Sequence, residues 1–455
     1  MLDILIVGGQ YPDFKEYCMK RGNIGIKDGK IAYIGDGEPD AKEVINAEGK
    51  IVSPGFIDIH MHEEDFHEGE KYVIANMMLE MGVTTAVGGN CGIQNQDLSE
   101  FKNTIARLGG SPVNYLMFAG YNTFRYELGI ERYAEATKTE QAEIRRLLKR
   151  ELSEGACGIS FGIEYDPGMT FDEIMFACGA TCDPRLLVSA HYRDDGNNAI
   201  ESIEEMIRIA DGIPMKFQIS HLSSCSAMGQ MDEALRRIDG AKALNPKLDF
   251  DTYPYSAFST HIGSAVFEDG CLEGWGKDYK DILLTEEPYF NVYCTKEIFE
   301  DAREKYPDML AVAFVMREEE ISAAVSDKNG MVASDAIIKG GNGHPRAAGT
   351  FPRVLGKYVR DEKALSMIDA LKKISWLPAE RLGLRSKGRI VEGCDGDITV
   401  FDPETIRDGA TFTDIHIKPE GIQCVLINGK KALEGKEILN GRLGRFISSD
   451  EMGRD

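Results

Sequence analysis

The chain has 455 residues, 43% of them hydrophobic and 9% aromatic, which is more than one ordinary domain needs and enough to bury a large core. Its 52 basic and 75 acidic residues leave a net charge of −23, a balance that repels phosphate backbones and anionic membranes and argues against nucleic-acid or membrane partners. The charges are dispersed rather than blocked, which excludes global disorder, and no apolar run approaches the roughly 18 residues of a membrane span.

The opening run, Met1–Gly9, carries an acid at position 3 and ends in Gly-Gly, so it reads as a strand and turn rather than a secretion leader. With ten cysteines and no leader, the expectation is a cytoplasmic protein with reduced thiols. Residues 1–53 read as short strands, with Asp28-Gly29 as a hairpin signal. From Ile51 the pattern changes to apolar runs separated by amphipathic helices such as Thr139–Glu154 and Asn197–Ala210. The runs are Ile51–His62, Thr84–Cys91, Val113–Tyr121, Gly158–Tyr165, Leu186–Arg193, Met215–Ser223, Leu248–Tyr255 and Met331–Ile337. Eight strands alternating with helices predict an α/β fold of the (β/α)8 TIM-barrel type over residues 54–384. An open doubly wound sheet is the alternative, and it does not account for polar residues at the C-terminal ends of so many runs. The stretch at about 256–330 is too long for a βα loop and predicts an insertion over the catalytic face. Residues 385–455 return to short strands, as in Val425-Leu426-Ile427-Asn428-Gly429-Lys430, and with 1–53 predict one small β-sandwich domain built from both chain ends.

The chemistry-bearing residues gather at strand ends. His60 and His62 close the first run, and alternate residues of a strand point to one face, so both imidazoles can aim into the barrel mouth. Cys91 lies in Gly88-Gly89-Asn90-Cys91-Gly92 at the end of the second run, as a metal-ligating thiolate or as a buried thiol in a glycine turn. His191 and His221 end the fifth and sixth runs. Each alone reads as a core histidine, but four of only eight histidines ending predicted strands is not a chance pattern. Asp335 ends the eighth run as a proton-transfer carboxylate or as a helix N-cap.

These residues, with Pro54-Gly55-Phe56-Ile57-Asp58, Gly162-Ile163-Glu164-Tyr165-Asp166-Pro167-Gly168, Asp251-Thr252-Tyr253-Pro254-Tyr255 and Gly343-His344-Pro345-Arg346-Ala347-Ala348-Gly349-Thr350-Phe351-Pro352-Arg353, make the whole chain resemble the amidohydrolase superfamily, and within it the N-acyl-D-amino-acid deacylases. The resemblance implies zinc held tightly by Cys91, His191 and His221, a second, weaker site on His60 and His62 sharing Cys91, and Asp335 as general acid/base. It implies hydrolysis of a linear amide by metal-activated water, the proton passing through Asp335 to the leaving amine. Glu164 reads as an extra ligand or, from its neighbours, as a supporting residue. The substrate carboxylate needs a bidentate or hydroxyl partner, for which Tyr192, Arg193, Tyr253 and Arg346 are the candidates, each of them equally suited to a scaffold role. One departure stands out. Relatives often carry a lysine shortly after the sixth-strand histidine, whereas here His221 is followed by Leu222-Ser223-Ser224-Cys225-Ser226. Cyclic-amide opening of the hydantoinase or dihydropyrimidinase kind and a non-catalytic binding barrel are the competing readings. The expected partners are a small-molecule substrate and further copies of the chain.

Overall fold

The structure, a computed structural model, describes residues 1–453. Its parallel strands are Phe56–Asp58, Val83–Gly88, Asn114–Met117 continued by Ala119–Gly120, Gly158–Gly162, Leu187–His191, Lys216–Ile219, Leu248–Thr252 and Met331–Val332. Most are buried on both faces, as parallel strands covered by helices must be. They are shorter than the apolar runs predict, because the last residues of several runs leave the ladder and become the loops that carry the polar side chains. Where a closed barrel was predicted, the ladders form two sheets. Phe56–Asp58, Val83–Gly88 and Asn114–Met117 make one, and the remaining strands, from Ala119–Gly120 to Met331–Val332, make the other. The third strand breaks at Phe118, so its two parts belong to different sheets. At the opposite edge the sheets meet through the isolated bridge Met61↔Ala336. Two hydrogen bonds flank that bridge, from His62 N to Ala336 O and from Asp335 N to His60 O, each 2.8 Å. They set His60, His62 and Asp335 side by side.

The helices form where the sequence supplies both a cap and an apolar stripe. In Lys138–Ser153, Thr137 and Glu140 form a reciprocal capping box, and Ile144, Leu147 and Leu148 bury one face against the sheet side. Ala199–Gly212 likewise buries Ile203, Met206 and Ile209. Among the described residues no helix is long and apolar enough to cross a membrane.

The chain ends share one nine-stranded sheet, in which Ile51–Pro54 pairs antiparallel with Ile398–Phe401. The prediction was a sandwich, but the hydrogen bonds join every strand of this unit in one sheet, eight in a continuous order and Ala41–Asn46 branching from Leu2–Asp13. That sheet folds over on itself: Ile31 N donates to Cys394 O (2.9 Å) and Gly396 N to Gly29 O (2.8 Å), bringing the Asp28-Gly29 hairpin against residues preceding Ile398–Phe401. Ile4, Ile24, Ile45, Ile398, Val400 and Leu426 fill the shared interior. Lys387 is buried beside Asp395 and Asp397, and Asp397 Oδ2 also accepts from Asn114 Nδ2 (3.2 Å), tying the unit to the third parallel strand.

Between the seventh and eighth parallel strands the chain builds a four-stranded antiparallel sheet from Phe258–His261, Leu310–Ala313, Ile282–Leu284 and Val292–Tyr293. This sheet brings Ser259, Thr260 and His261 to the mouth formed by the parallel strand ends.

Candidate metal centre

His60, Cys91, His221 and Asp335 converge so that one potential ligand atom from each lies within 4.8 Å of the others, and all four are buried. Cys91 Sγ is 3.3 Å from His60 Nε2 and 3.4 Å from His221 Nε2. His191 adjoins this group, its Nδ1 2.9 Å from His221 Nε2. His62 stands at the outer edge, its Nε2 3.4 Å from Asp335 Oδ1. The structure therefore brings together all six residues expected to carry metal binding and proton transfer, but its tightest group cuts across the two ligand sets that the resemblance implies.

The backbone is strained where it presents these groups. Cys91, His221 and Asp335 all have positive φ, at 52°, 33° and 51°, a region that costs a non-glycine residue energy and persists only where surrounding contacts enforce it. Gly92, at φ 75°, has no alternative, since a Cβ there would lie 1.8 Å from Asn122 Oδ1. Ser160 closes the Cys91 loop, accepting from Gly92 N at 3.0 Å and donating to Gly89 O.

The His221 and His191 imidazoles are each oriented by a second partner. Ser224 Oγ lies 2.7 Å from His221 Nδ1, and Glu164 Oε2 lies 2.6 Å from His191 Nε2. Asp251 Oδ1 accepts from His221 N at 2.8 Å and sits 3.2 Å from His60 Nδ1. Such contacts fix which nitrogen faces the centre. Asp58, fully buried, accepts from Ser334 N (3.0 Å) and His60 N (3.3 Å), joining the first strand to the loop that carries Asp335. Sequence reasoning gave no role to Ser224 or Asp251. Their signals were Asp251 within the seventh apolar run, next to the last residue of the strand Leu248–Thr252, and Ser224 one helical turn beyond His221.

The electrostatics are those of a site with two anions among imidazoles. Burial alone raises the Cys91 thiol, but His60 and His221 hold it well below the usual thiol range. Burial also opposes ionisation of Asp335, yet Arg346 and then His221 hold its carboxyl well below the usual carboxylate range. Burial disfavours the charged His62 ring, and Asp335 and Cys91 overcome it, pushing its pKa up to about 9. Burial, reinforced by Asp194, pushes the Glu164 carboxyl well above its ordinary value.

A cavity of about 510 Å³ opens over this group, lined in part by His62, Tyr165, Thr260, His261 and Asp335. Deeper, Tyr192, Tyr253 and Ser259 line a small recess beside His191 and His221. Tyr192 Oη donates to Ser224 Oγ at 2.9 Å, whereas the buried Tyr253 hydroxyl has no hydrogen-bond partner among the described residues. Arg346 lies over the Tyr253 ring, 4.7 Å from its centroid, with Nη1 3.0 Å from Asp335 Oδ2. The Gly343-His344-Pro345-Arg346 turn explains its placement, because His344 Nδ1 accepts from Arg346 N at 2.9 Å while Nε2 reaches Ala257 O at 3.1 Å. For Arg193 the contacts match the scaffold alternative of the sequence reading. Its guanidinium is paired with Glu205 at 2.7 and 2.8 Å and donates to Pro167 O and Met169 O, so it braces the fold and does not line the cavity.

Residues 325–432 match the Amidohydrolase family. Over 98% of this chain and 97% of the relative, the sequence is 28% identical to a D-aminoacylase of Alcaligenes xylosoxydans xylosoxydans. A solved N-acyl-D-glutamate deacylase from Bordetella bronchiseptica, complexed with zinc and a phosphonate mimic of the tetrahedral intermediate, superposes with a TM-score of 0.88 at 27% identity, covering 98% of this chain and 99% of that one. An L-hydantoinase from Arthrobacter aurescens superposes less well, at 0.63 and 15% identity over 98% of this chain and 100% of that one, and shares the fold alone.

Proposed function

From a chain that is a D-aminoacylase-like amidohydrolase, we propose a metal-dependent deacylase that hydrolyses the linear amide of N-acyl-D-amino acids. The carrying observation is the spacing around Cys91. Ligands of a tetrahedral zinc, at roughly 2.3 Å for sulfur and 2.0 Å for nitrogen, stand about 3.5 Å apart, and the two sulfur–nitrogen distances here are 3.3 and 3.4 Å. The donor set of thiolate, imidazoles and carboxylate suits the same ion. Cys91 and His221, 3.4 Å apart, would hold it tightly together with His191, while the 3.3 Å distance to His60 serves a weaker second site that His60 and His62 form through Cys91. When bound, the ion supplies Lewis-acid polarisation of the scissile carbonyl and acidifies water at the site.

The residues of the chain supply the rest. Asp335 accepts the proton that water gives up as its oxygen bonds to the carbonyl carbon, then delivers it to the nitrogen as the C–N bond breaks. Arg346 keeps that carboxylate ionised and aimed. Tyr253, its hydroxyl buried and unpartnered beside the metal group, is the group best placed to hold the substrate carboxylate, with Tyr192 behind it. The sheet from the insertion lines one side of the cavity mouth through Ser259, Thr260 and His261.

We also read the two parallel sheets as one (β/α)8 barrel over residues 54–384 with an insertion at about 256–330, supported by the bonds that flank Met61↔Ala336. Residues 1–53 and 385–455 then form the β domain. Ten free cysteines suit a reducing, cytoplasmic setting.

Metal analysis of the purified protein, paired with matched N-acetyl-D- and N-acetyl-L-amino acids, tests this reading. Bound zinc with amine released from the D-enantiomers alone supports it. Zinc with no release from either enantiomer refutes the substrate class and turns the search to cyclic amides.

A further inference from the structure

His60 and His62 lie on one chain segment and Cys91 on another, so a shared centre requires the two to be fastened at a fixed separation. The residue after His62 spans the gap. Glu63, 3% exposed, accepts from Gly89 N through Oε2 at 2.7 Å and from Asn95 N through Oε1 at 2.8 Å. Its carbonyl oxygen also accepts from Asn95 Nδ2 at 3.1 Å. One carboxylate thus grips the Cys91 loop on both sides of the cysteine, and both of its oxygens are used. The approach is close enough that a Cβ on Gly88 would meet Glu63 Oε2 at 2.7 Å. Nothing else on the His60–His62 segment makes a side-chain bond to both ends of that loop among the described residues. Asn90 contributes only weakly, through Nδ2 to Met61 O at 3.5 Å.

We propose that Glu63 is a positioning residue for the metal centre: it sets the place of the Cys91 thiolate relative to His60 and His62, without touching metal or substrate itself. Because Cys91 occupies a left-handed backbone conformation at φ 52°, the loop relaxes once either end is released, and the sulfur moves with it. This inference rests on the metal-site reading above.

The test is cobalt(II) titration of the metal-stripped protein, following the thiolate-to-cobalt absorption band, on wild type, Glu63→Gln and Glu64→Gln. Glu63→Gln keeps the shape but turns one acceptor into an N–H donor facing a backbone N–H. It should weaken cobalt binding by about 10-fold or more and shift or diminish the band. Glu64 is buried like its neighbour but bonds to Ala75 N and Tyr115 Oη, away from the Cys91 loop. Glu64→Gln should lower thermal stability while leaving band and affinity unchanged. Wild-type affinity and band in Glu63→Gln overturn the proposal, as does an equal spectral change in Glu64→Gln. If Glu63→Gln does not accumulate folded, Glu63→Asp decides, since the shorter carboxylate cannot reach both amides. Weakened binding supports the clamp, and unchanged binding sinks it. A wild-type protein with no thiolate band would instead defeat the metal-site reading.

Discussion

Arg346 Nη1 stands 3.0 Å from Asp335 Oδ2, with both side chains buried. The same guanidinium donates through Nη2 to Ser259 O at 3.1 Å, so it links the proton-transfer carboxylate to the insertion sheet that roofs the cavity. A lysine keeps the charge but cannot make both contacts. Arg346→Lys should therefore lower kcat by about 10- to 100-fold, on the order of 1.4–2.7 kcal/mol in the barrier, with a smaller change in KM. Steady-state kinetics on the preferred N-acyl-D-amino acid checks this. A KM increase with intact kcat would instead assign Arg346 to substrate binding alone.

Removal of the thiolate is the direct test of the metal centre. Cys91→Ala deletes the one soft anionic donor, the sulfur that lies within 3.4 Å of both His60 Nε2 and His221 Nε2. The purified variant should retain the fold by circular dichroism, carry little zinc by elemental analysis and lose at least about 100-fold in amide hydrolysis. Full zinc occupancy in the variant would remove Cys91 from the ligand set.

Arg193 offers the contrasting case of a residue near the site that should not matter to substrate. Its pairing with Glu205 is half-buried, and Glu205 is nearly fully so. Arg193→Ala leaves that carboxylate without a partner and should cost about 2 kcal/mol of stability. KM for the acyl-amino acid should stay within about twofold, a change that corresponds to almost no binding energy. Chemical denaturation and kinetics on the same preparation separate the two. A large KM increase at unchanged stability would restore the carboxylate-binding role.

The join between the terminal sheet and the parallel sheets can be probed at Lys387, which is buried against Asp395 (3.0 Å) and Asp397. Lys387→Met leaves Asp397 without its cation, while Asp395 keeps Lys30 and Ser386, and should destabilise by about 3 kcal/mol. The pH dependence has a definite sign. Burial raises the Asp395 carboxyl, but Lys387 and then Lys30 together more than compensate and hold it below its ordinary value of 3.8. A depressed carboxylate stabilises the fold above its unfolded pKa, and that gain is lost as pH falls through the folded value. The deficit of the variant should thus be largest near neutrality and shrink below about pH 4. Urea denaturation at about pH 7 and about pH 3.5 measures it, and a deficit that grows in acid would contradict the assignment.

Much of this molecule was legible in its sequence, because strand and helix periodicity and strand-end chemistry are local. The runs at Gly158–Tyr165 and Leu186–Arg193 mark the strands Gly158–Gly162 and Leu187–His191. His60, His62, Cys91, His191, His221 and Asp335 were identifiable as a set, because each follows an apolar run and ligands must sit where strands end. That the two chain ends share one β unit also followed from their like composition, although the expectation was a sandwich and the strands join in one sheet.

What the sequence by itself could not determine depends on distances between segments remote along the chain. Arg193 and Arg346 were equivalent as candidate carboxylate binders. Only the packing shows one turned to Glu205 and the other laid against Asp335. Ser224, Asp251 and Glu63 carry no motif that announces a role, since a buried hydroxyl or carboxylate acquires its function from the group it happens to face. The strand boundaries and the break at Phe118 were likewise set by which backbone amides found partners across the sheets. Residue chemistry and periodicity fixed the inventory of the site, and three-dimensional packing decided which members touch.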